Sequence, residues 1–476
     1  MKRLFYLLAI FSTILFYSCE KNKDSGPNND YVNNWIYKEM STYYLWNENL
    51  PSASSINFDS DPEKFFNFLL YRPDQYYGDR FSWIQNNYLD LLNSLSGVSS
   101  FEIGFEYIGY RESASSSNVM AQVAYVKPGT HAEQLGIKRG DVFTKVNGTQ
   151  LTTSNWRNLF NASSAKVTFM SGSTTVDKTI TLSKNYSENP IYLDAIYTQG
   201  AKRIGYLVYN FFAADGGDGS KKYDIQLNEV FGRFKAANIT HLILDFRYNS
   251  GGSMNSATLL GSMIVPQLNT NNIFTKLQYN SIVSSAIIQK EGSDALLDKF
   301  RDKVESGRSG SVPINNVGDN LQGLYILTGG WTASASELVI NNLDPYLPNI
   351  NLVGDTTVGK SVGSISIYEE NDSKNKWGMQ PIVLRFTNKI GNANFSQGFF
   401  PKVVDQDNSL SKLPLGDENE TLLAIALNMI ENNGTYVRSS VQQSVRPTAI
   451  PIGSSVEKKA WANHVVVDLD RVKINE

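Results

Sequence analysis

Residues 241–252 read HLILDFRYNSGG. The first six, His241 to Phe246, carry the apolar run Leu242-Ile243-Leu244 and Phe246, as in a strand buried on both faces. The run closes on two consecutive glycines, Gly251 and Gly252, which free the backbone just past the strand end. Working outward, Arg203 to Phe211 (RIGYLVYNF) is a second strand, and Leu227, Val230, Phe231 and Phe234 mark a helix at i, i+3, i+4 and i+7. Residues 254–264 are expected to be helical, Leu324 to Leu327 a strand, Ala335 to Leu343 a helix and Asn351 to Val353 a strand again. This alternation over 203–432 predicts an α/β core with largely parallel pairing.

The chain has 476 residues, room for two to four domains at roughly 100–200 residues each. Hydrophobic residues make up 41% and charged ones 19%, which excludes a wholly disordered chain. Lys and Arg number 43 against 46 Asp and Glu, so no basic excess supports nucleic-acid binding. One cysteine excludes a disulfide framework and a Cys-based zinc site. The three histidines are His131, His241 and His464.

Met1-Lys2-Arg3 followed by an apolar run to about Tyr17 reads as a secretion signal, shorter than the roughly 20 residues of a membrane-spanning helix. It ends Phe16-Tyr17-Ser18-Cys19, which resembles a bacterial lipoprotein box. Residues 1–19 are therefore expected to be a signal ending at a lipidated Cys19, with 20–30 (polar, with Gly and Pro) as a tether. The chain would then be exported across the inner membrane and held on the bacterial envelope, periplasmic or at the outer membrane. An ordinary signal peptide containing a Cys is the alternative. Residues 31–98 are expected to form a small helical domain, with Val32, Trp35, Ile36, Met40 and Tyr43 on one face and Asp61-Pro62 opening a second helix. Residues 101–184 change to short strands and turns.

Gly354 to Ser361 (GDTTVGKS) satisfies the P-loop pattern G-x-x-x-x-G-K-[ST]. A phosphate-cradling loop needs a helix directly after it. Here Val362 to Tyr368 come next and alternate as a strand does, which argues against nucleotide binding. Gly329 to Glu337 (GGWTASASE) offers the same lysine another role. Small residues at a strand-to-helix junction let the backbone turn tightly and expose a hydroxyl, although a plain Ser helix cap uses the same residues. None of the histidines lies where a Ser-His-Asp triad would need one. A lysine can serve as the base if it is neutral, and burial can lower its reference pKa of about 10.4 by several units. Lys360 lies between Val358 and Val362 with Gly359 beside it, and Asp355 is its nearest acid in sequence. Gly251 or Gly252, with the amide of Ala335, could then present N–H groups as an oxyanion hole, or the glycines could form only a strand-to-helix turn.

These segments in this order resemble the C-terminal processing (tail-specific) serine peptidases, serine peptidase family 41. The resemblance covers RIGYLVYNFF, LDFRYNSGG, TASASE, GDTTVGK and GDENETLLAIALNMI. It implies a crotonase-like core over 200–432, Ser334 as nucleophile, Lys360 as general base and a backbone oxyanion hole at Gly251, Gly252 and Ala335. Lys360 lies 26 residues beyond Ser334, about one more than expected of the family. Where relatives carry Gln or Glu four residues after the lysine, Ser364 stands here as the candidate orienting residue. Ser336 is the rival nucleophile.

Pro128 to Gly148 (PGTHAEQLGIKRGDVFTKVNG) resembles a PDZ domain of such proteases. Ile103, Gly104 and Phe105 then stand at its carboxylate loop, where the adjacent strand edge accepts a peptide as an added strand. Thr153 to Phe160 would be the groove helix, with Trp156 and Phe160 as lining or as core. The implied partners are proteins or peptides held by their C-termini, with no metal or organic cofactor. Residues 433–476 show no pattern and are expected to be a tail packed on the surface. The other reading is a catalytically inactive relative acting as an envelope peptide-binding scaffold, motivated by Ser364 and the extra loop residue.

Overall fold

In the computed structural model, residues 28–160, 163–306, 310–437, 450–458 and 464–467 are described. Cys19, the signal and most of the 20–30 tether lie outside them. The chain is a mixed α/β protein. Helices Asn29–Tyr43, Pro62–Leu69 and Tyr88–Leu95 open it. Asp61 caps the second, its carboxylate accepting from the amide of Lys64, and Pro62 sits where no amide is needed. Trp35, Ile36 and Met40 are buried on the face that their spacing predicts.

The central sheet runs Ile191–Gln199, Lys202–Tyr209, His241–Asp245, Gly323–Thr328, Ile350–Gly354, Val403–Val404. The first pair is antiparallel and the rest are parallel. His241–Asp245 is buried throughout. One face, with Leu242, Leu244, Leu324 and Ile326, packs in the main core with helices Lys222–Ala236, Met254–Ile264 and Ala335–Leu343. The other, with Ile204, Tyr206, Ile243 and Val353, is covered by helix Thr421–Glu431. A second sheet runs Gly251–Ser253, His464–Val466, Val362–Ser364, Ile382–Thr387, Ile273–Tyr279, Leu297–Lys299.

The middle domain is an antiparallel sheet, Phe105–Arg111, Val119–Val126, Val142–Val146, Ser164–Ser171, Thr174–Thr181, closed over its own apolar cluster. Thr153 to Phe160 is not a helix. The Asn155 side chain accepts from the Thr152 amide at 2.8 Å and donates to the Gln150 carbonyl at 3.0 Å, and these local bonds set a turn. Trp156 is buried under it, its ring 5.9 Å from that of Tyr107.

The stretch from 433, expected as a patternless tail, supplies two strands. Ile450–Ser454 pairs antiparallel with Phe105–Arg111, and His464–Val466 lies parallel to Gly251–Ser253. Their alternation is too short to register as a period, because each strand is completed by the partner it joins.

Candidate active site

Two strands of the central sheet end at the site. After Gly323–Thr328 the chain turns through Gly329–Ala333 into helix Ala335–Leu343, and Ser334 is the residue at the turn. Its backbone is at φ +64°, ψ −113°, a region that a non-glycine residue occupies only when its surroundings force it. The forcing contacts come from the end of the neighbouring strand: the Thr332 hydroxyl donates to the Phe246 carbonyl at 2.7 Å, and the Ala333 amide to that of Asn249 at 3.2 Å. Ser334 is fully buried, and its Oγ has no hydrogen-bond partner among the described residues.

After Ile350–Gly354 the chain runs to Lys360 and into the strand Val362–Ser364. No helix comes after the GKS triplet, so the amide array that holds nucleotide phosphates is not formed there. One side chain joins the serine turn to the lysine loop. Glu337 Oε2 accepts from the Ser334 amide at 2.8 Å and from the Lys360 amide at 2.8 Å. Its Oε1 accepts from the Thr357 hydroxyl at 2.5 Å and the Gly359 amide at 2.6 Å. Ser334 and Lys360, distant in the chain, are thus anchored by their main chains to the same oxygen. Burial raises the Glu337 pKa, and the four donors oppose that shift.

Lys360 is 1% exposed. Burial lowers its pKa to about 7, against the carboxylates of Asp79 and Glu337, which raise it, while Arg80 lowers it further. The acids that act on this amine are therefore Asp79 and Glu337, not Asp355, whose carboxylate accepts from the Thr356 amide. The roof comes from the N-terminal domain. The Lys360 ammonium lies 4.9 Å from the centre of the Phe81 ring, and Arg80 donates to the Gly359 carbonyl at 3.4 Å. Asp79 is itself fixed by the Tyr44 hydroxyl at 2.8 Å and by the Phe81 and Ser82 amides at 3.0 and 2.8 Å.

Ser364 is buried in the strand after the lysine, its carbonyl accepting from the Val467 amide at 2.9 Å. Ser336, the rival nucleophile, donates to the Asn249 carbonyl at 3.2 Å, which gives it a structural use. Ala335 is the first residue of the helix that Ser334 opens. The oxyanion expectation needs correcting at Gly251, whose amide already donates to Asn249 Oδ1 at 3.0 Å. On its neighbour's side, the Gly251 carbonyl and the Ser253 amide bond Phe212, at 2.8 Å each. Strand alternation therefore turns the Gly252 N–H the other way, toward His464–Val466.

The peptide-binding residues expected of the middle domain are not a preformed groove. Ile103, Phe105 and Trp156 pack in its core. The Gly104 amide donates to Glu102 Oε1 at 3.1 Å, so the chain's own carboxylate sits at the loop. His131 accepts from the Thr181 amide at 2.9 Å, and burial and Lys202 lower the His241 pKa to about 4. Among the described residues, no group of three or more His, Cys, Asp or Glu is arranged to hold a metal, and no helix is long and apolar enough to cross a membrane.

Sequence inspection missed Glu337, Asp79 and Phe81. The signal for Glu337 was present, since a Glu three residues after a Ser helix cap is a capping-box pattern. Nothing in the sequence ties residues 79–81 to Lys360.

Comparison with known proteins gives one consistent result. The Peptidase family S41 profile matches residues 203–403, and the Peptidase S41 N-terminal domain profile matches 31–83. A crystal structure described as an S41 protease from Bacteroides fragilis is 26% identical, covers 84% of this chain and 97% of its own, and superposes with a TM-score of 0.66. The photosystem II D1 C-terminal processing protease is 18% identical over 84% of this chain and 98% of its own, with a TM-score of 0.45. No curated protein matches the chain.

Proposed function

The chain is a serine-type peptidase with an S41 peptidase domain, and we propose that it cleaves proteins through an acyl-enzyme on Ser334 with Lys360 as the base. The observation that carries this reading is the buried amine with a pKa near 7, on a loop that Glu337 ties to the serine turn. Neutral Lys360 takes the Ser334 proton as Oγ attacks a peptide carbonyl, and returns it to the leaving amine. Water, deprotonated by the same amine, then releases the acyl group. The amides of Gly252 and Ala335 are the donors we assign to the oxyanion. Ser364 is left as a supporting residue of the lysine strand.

Substrates of a peptidase are proteins or peptides. Recognition of their C-termini, by a PDZ-like middle domain next to a crotonase-like core, is part of the proposal. So is envelope attachment through lipidated Cys19. Support for the middle domain's role is the strand edge Phe105–Arg111, which accepts an added antiparallel strand.

The test is hydrolysis of casein by protein lacking residues 1–19, beside Ser334→Ala and Lys360→Ala. Both variants should lose about 10⁴-fold or more in kcat. Equal turnover by all three rejects the dyad, and no turnover by any favours the inactive scaffold.

A further inference from the structure

Two strand positions on this molecule suit an extended peptide, and one segment of the chain fills both. At the middle domain, Ile450–Ser454 is added to the outer edge of Phe105–Arg111, pairing Ile450 with Arg111 and Ser454 with Ile108. Its direction carries it toward the 101–105 loop. There the Tyr107 amide donates to the Ser455 hydroxyl at 2.8 Å, and Ser455 bonds Glu106. Further on, His464–Val466 lies in the second sheet between Gly251–Ser253 and Val362–Ser364. These flanking strands lead out of the Asn249 turn, which abuts Ser334, and out of Lys360.

Between the two positions Glu457 pins the segment. Its carboxylate accepts from the Trp331 indole at 2.5 Å, within the turn that leads to Ser334, and from Arg157 of the middle domain. At the far end Val467 is buried in the main core. Main-chain pairing of this kind is how a sheet edge takes up an extended peptide, with side-chain pockets adding selectivity. The Gly252 N–H that the mechanism needs faces this strand, and both Ser334 and Lys360 are inaccessible to solvent.

We propose that the chain's own strands 450–454 and 464–466 are a resident peptide, held in the two strand positions that a substrate must occupy, so that substrates enter by displacing them. The positions beside Ser253 and just past it then select extended segments with apolar β-branched side chains, as Val466 and Val467 are. This rests on the peptidase reading, because it identifies these positions with that site. A tethered strand competes at an effective concentration on the order of millimolar, so modest affinity suffices to keep it in place.

The test measures binding, so it does not depend on turnover. A fluorescein-labelled peptide of sequence IPIGSSVEKKAWANHVVV (residues 450–467) is titrated with protein lacking residues 1–19 and carrying Ser334→Ala. It is titrated in parallel with the same protein also carrying Glu457→Ala and Val467→Pro, which removes the amide donated to Ser364. The released form should bind at least tenfold more tightly. Equal affinity overturns the proposal. If the added substitutions unfold the protein, the Ser334→Ala form alone decides, through hydrogen exchange of amides 464–467 with and without saturating casein. Faster exchange supports displacement, and unchanged exchange overturns it. Negative binding results beside Ser334-dependent casein cleavage reject only the resident peptide. Absence of cleavage rejects the peptidase chemistry separately.

Discussion

Glu337 holds two loops at one point with four short hydrogen bonds, and a neutral amide cannot replace it. In Glu337→Gln one oxygen becomes an NH₂ group facing two donors, leaving both without an acceptor. We expect a loss of roughly 100-fold in kcat from misplacement of the serine and lysine, with little change in KM. The buried unsatisfied donors should cost about 2–4 kcal/mol of stability, read by urea unfolding. On the proposed mechanism Lys360 sets the acid limb of the pH profile: with its neutral amine as the base, activity is present above its pKa and lost below it. The value of kcat/KM should rise with a midpoint near pH 7 and fall about tenfold per unit below that. A limb near pH 10 would mean the amine is solvated. Ser334 and Lys360 were legible because small residues at a strand-to-helix turn and an apolar setting around a lysine are local signals. Asp79 and Phe81 were not, because their effect on Lys360 depends on how a segment far away in the chain packs into the same core.

At the scale of elements, the strand Gly251–Ser253 works only with glycine at its centre. Gly252 has φ +129°, and a Cβ there would lie 2.1 Å from the Phe212 carbonyl oxygen. Gly252→Ala should cost about 2 kcal/mol or more and shift the N–H assigned to the oxyanion, lowering kcat more than it raises KM. Wild-type kcat in a folded variant would refute that assignment. The alternating helices and strands of 203–432 were readable because each carries a full period of apolar residues, as Leu227, Val230, Phe231 and Phe234 do. The helix expected over Thr153 to Phe160 failed for a local reason. Asn155 bonds neighbouring main-chain groups and offers the backbone a turn instead. The strands at 450–454 and 464–466 escaped notice because pairing with distant partners, not their own pattern, defines them.

At the scale of the molecule, a buried charge cluster locks the middle domain to the core. Arg247 bonds Asp245 and Glu420, and Arg139, from the middle domain, bonds Asp407 and Glu420 at 3.0 Å each. Lys412 adds a third cation, 2.8 Å from Asp407. Together the cations hold the Asp407 carboxyl far below the usual carboxylate range, though burial opposes them. Arg139→Met leaves buried carboxylates short of a partner and should cost about 3–5 kcal/mol. Limited proteolysis should then cut first in the connections around 185–190 and 405–415; an unchanged cleavage pattern would mean the cluster does not hold the domains together.

Phe81 and Arg80 belong to the segment matched at 31–83, while the amine they cover belongs to the domain matched at 203–403. The surroundings that set the Lys360 pKa therefore lie partly outside the domain that carries the lysine. A fragment cut free of its first hundred residues would keep Ser334 and Lys360 and lose part of the cover that lowers the pKa of the amine.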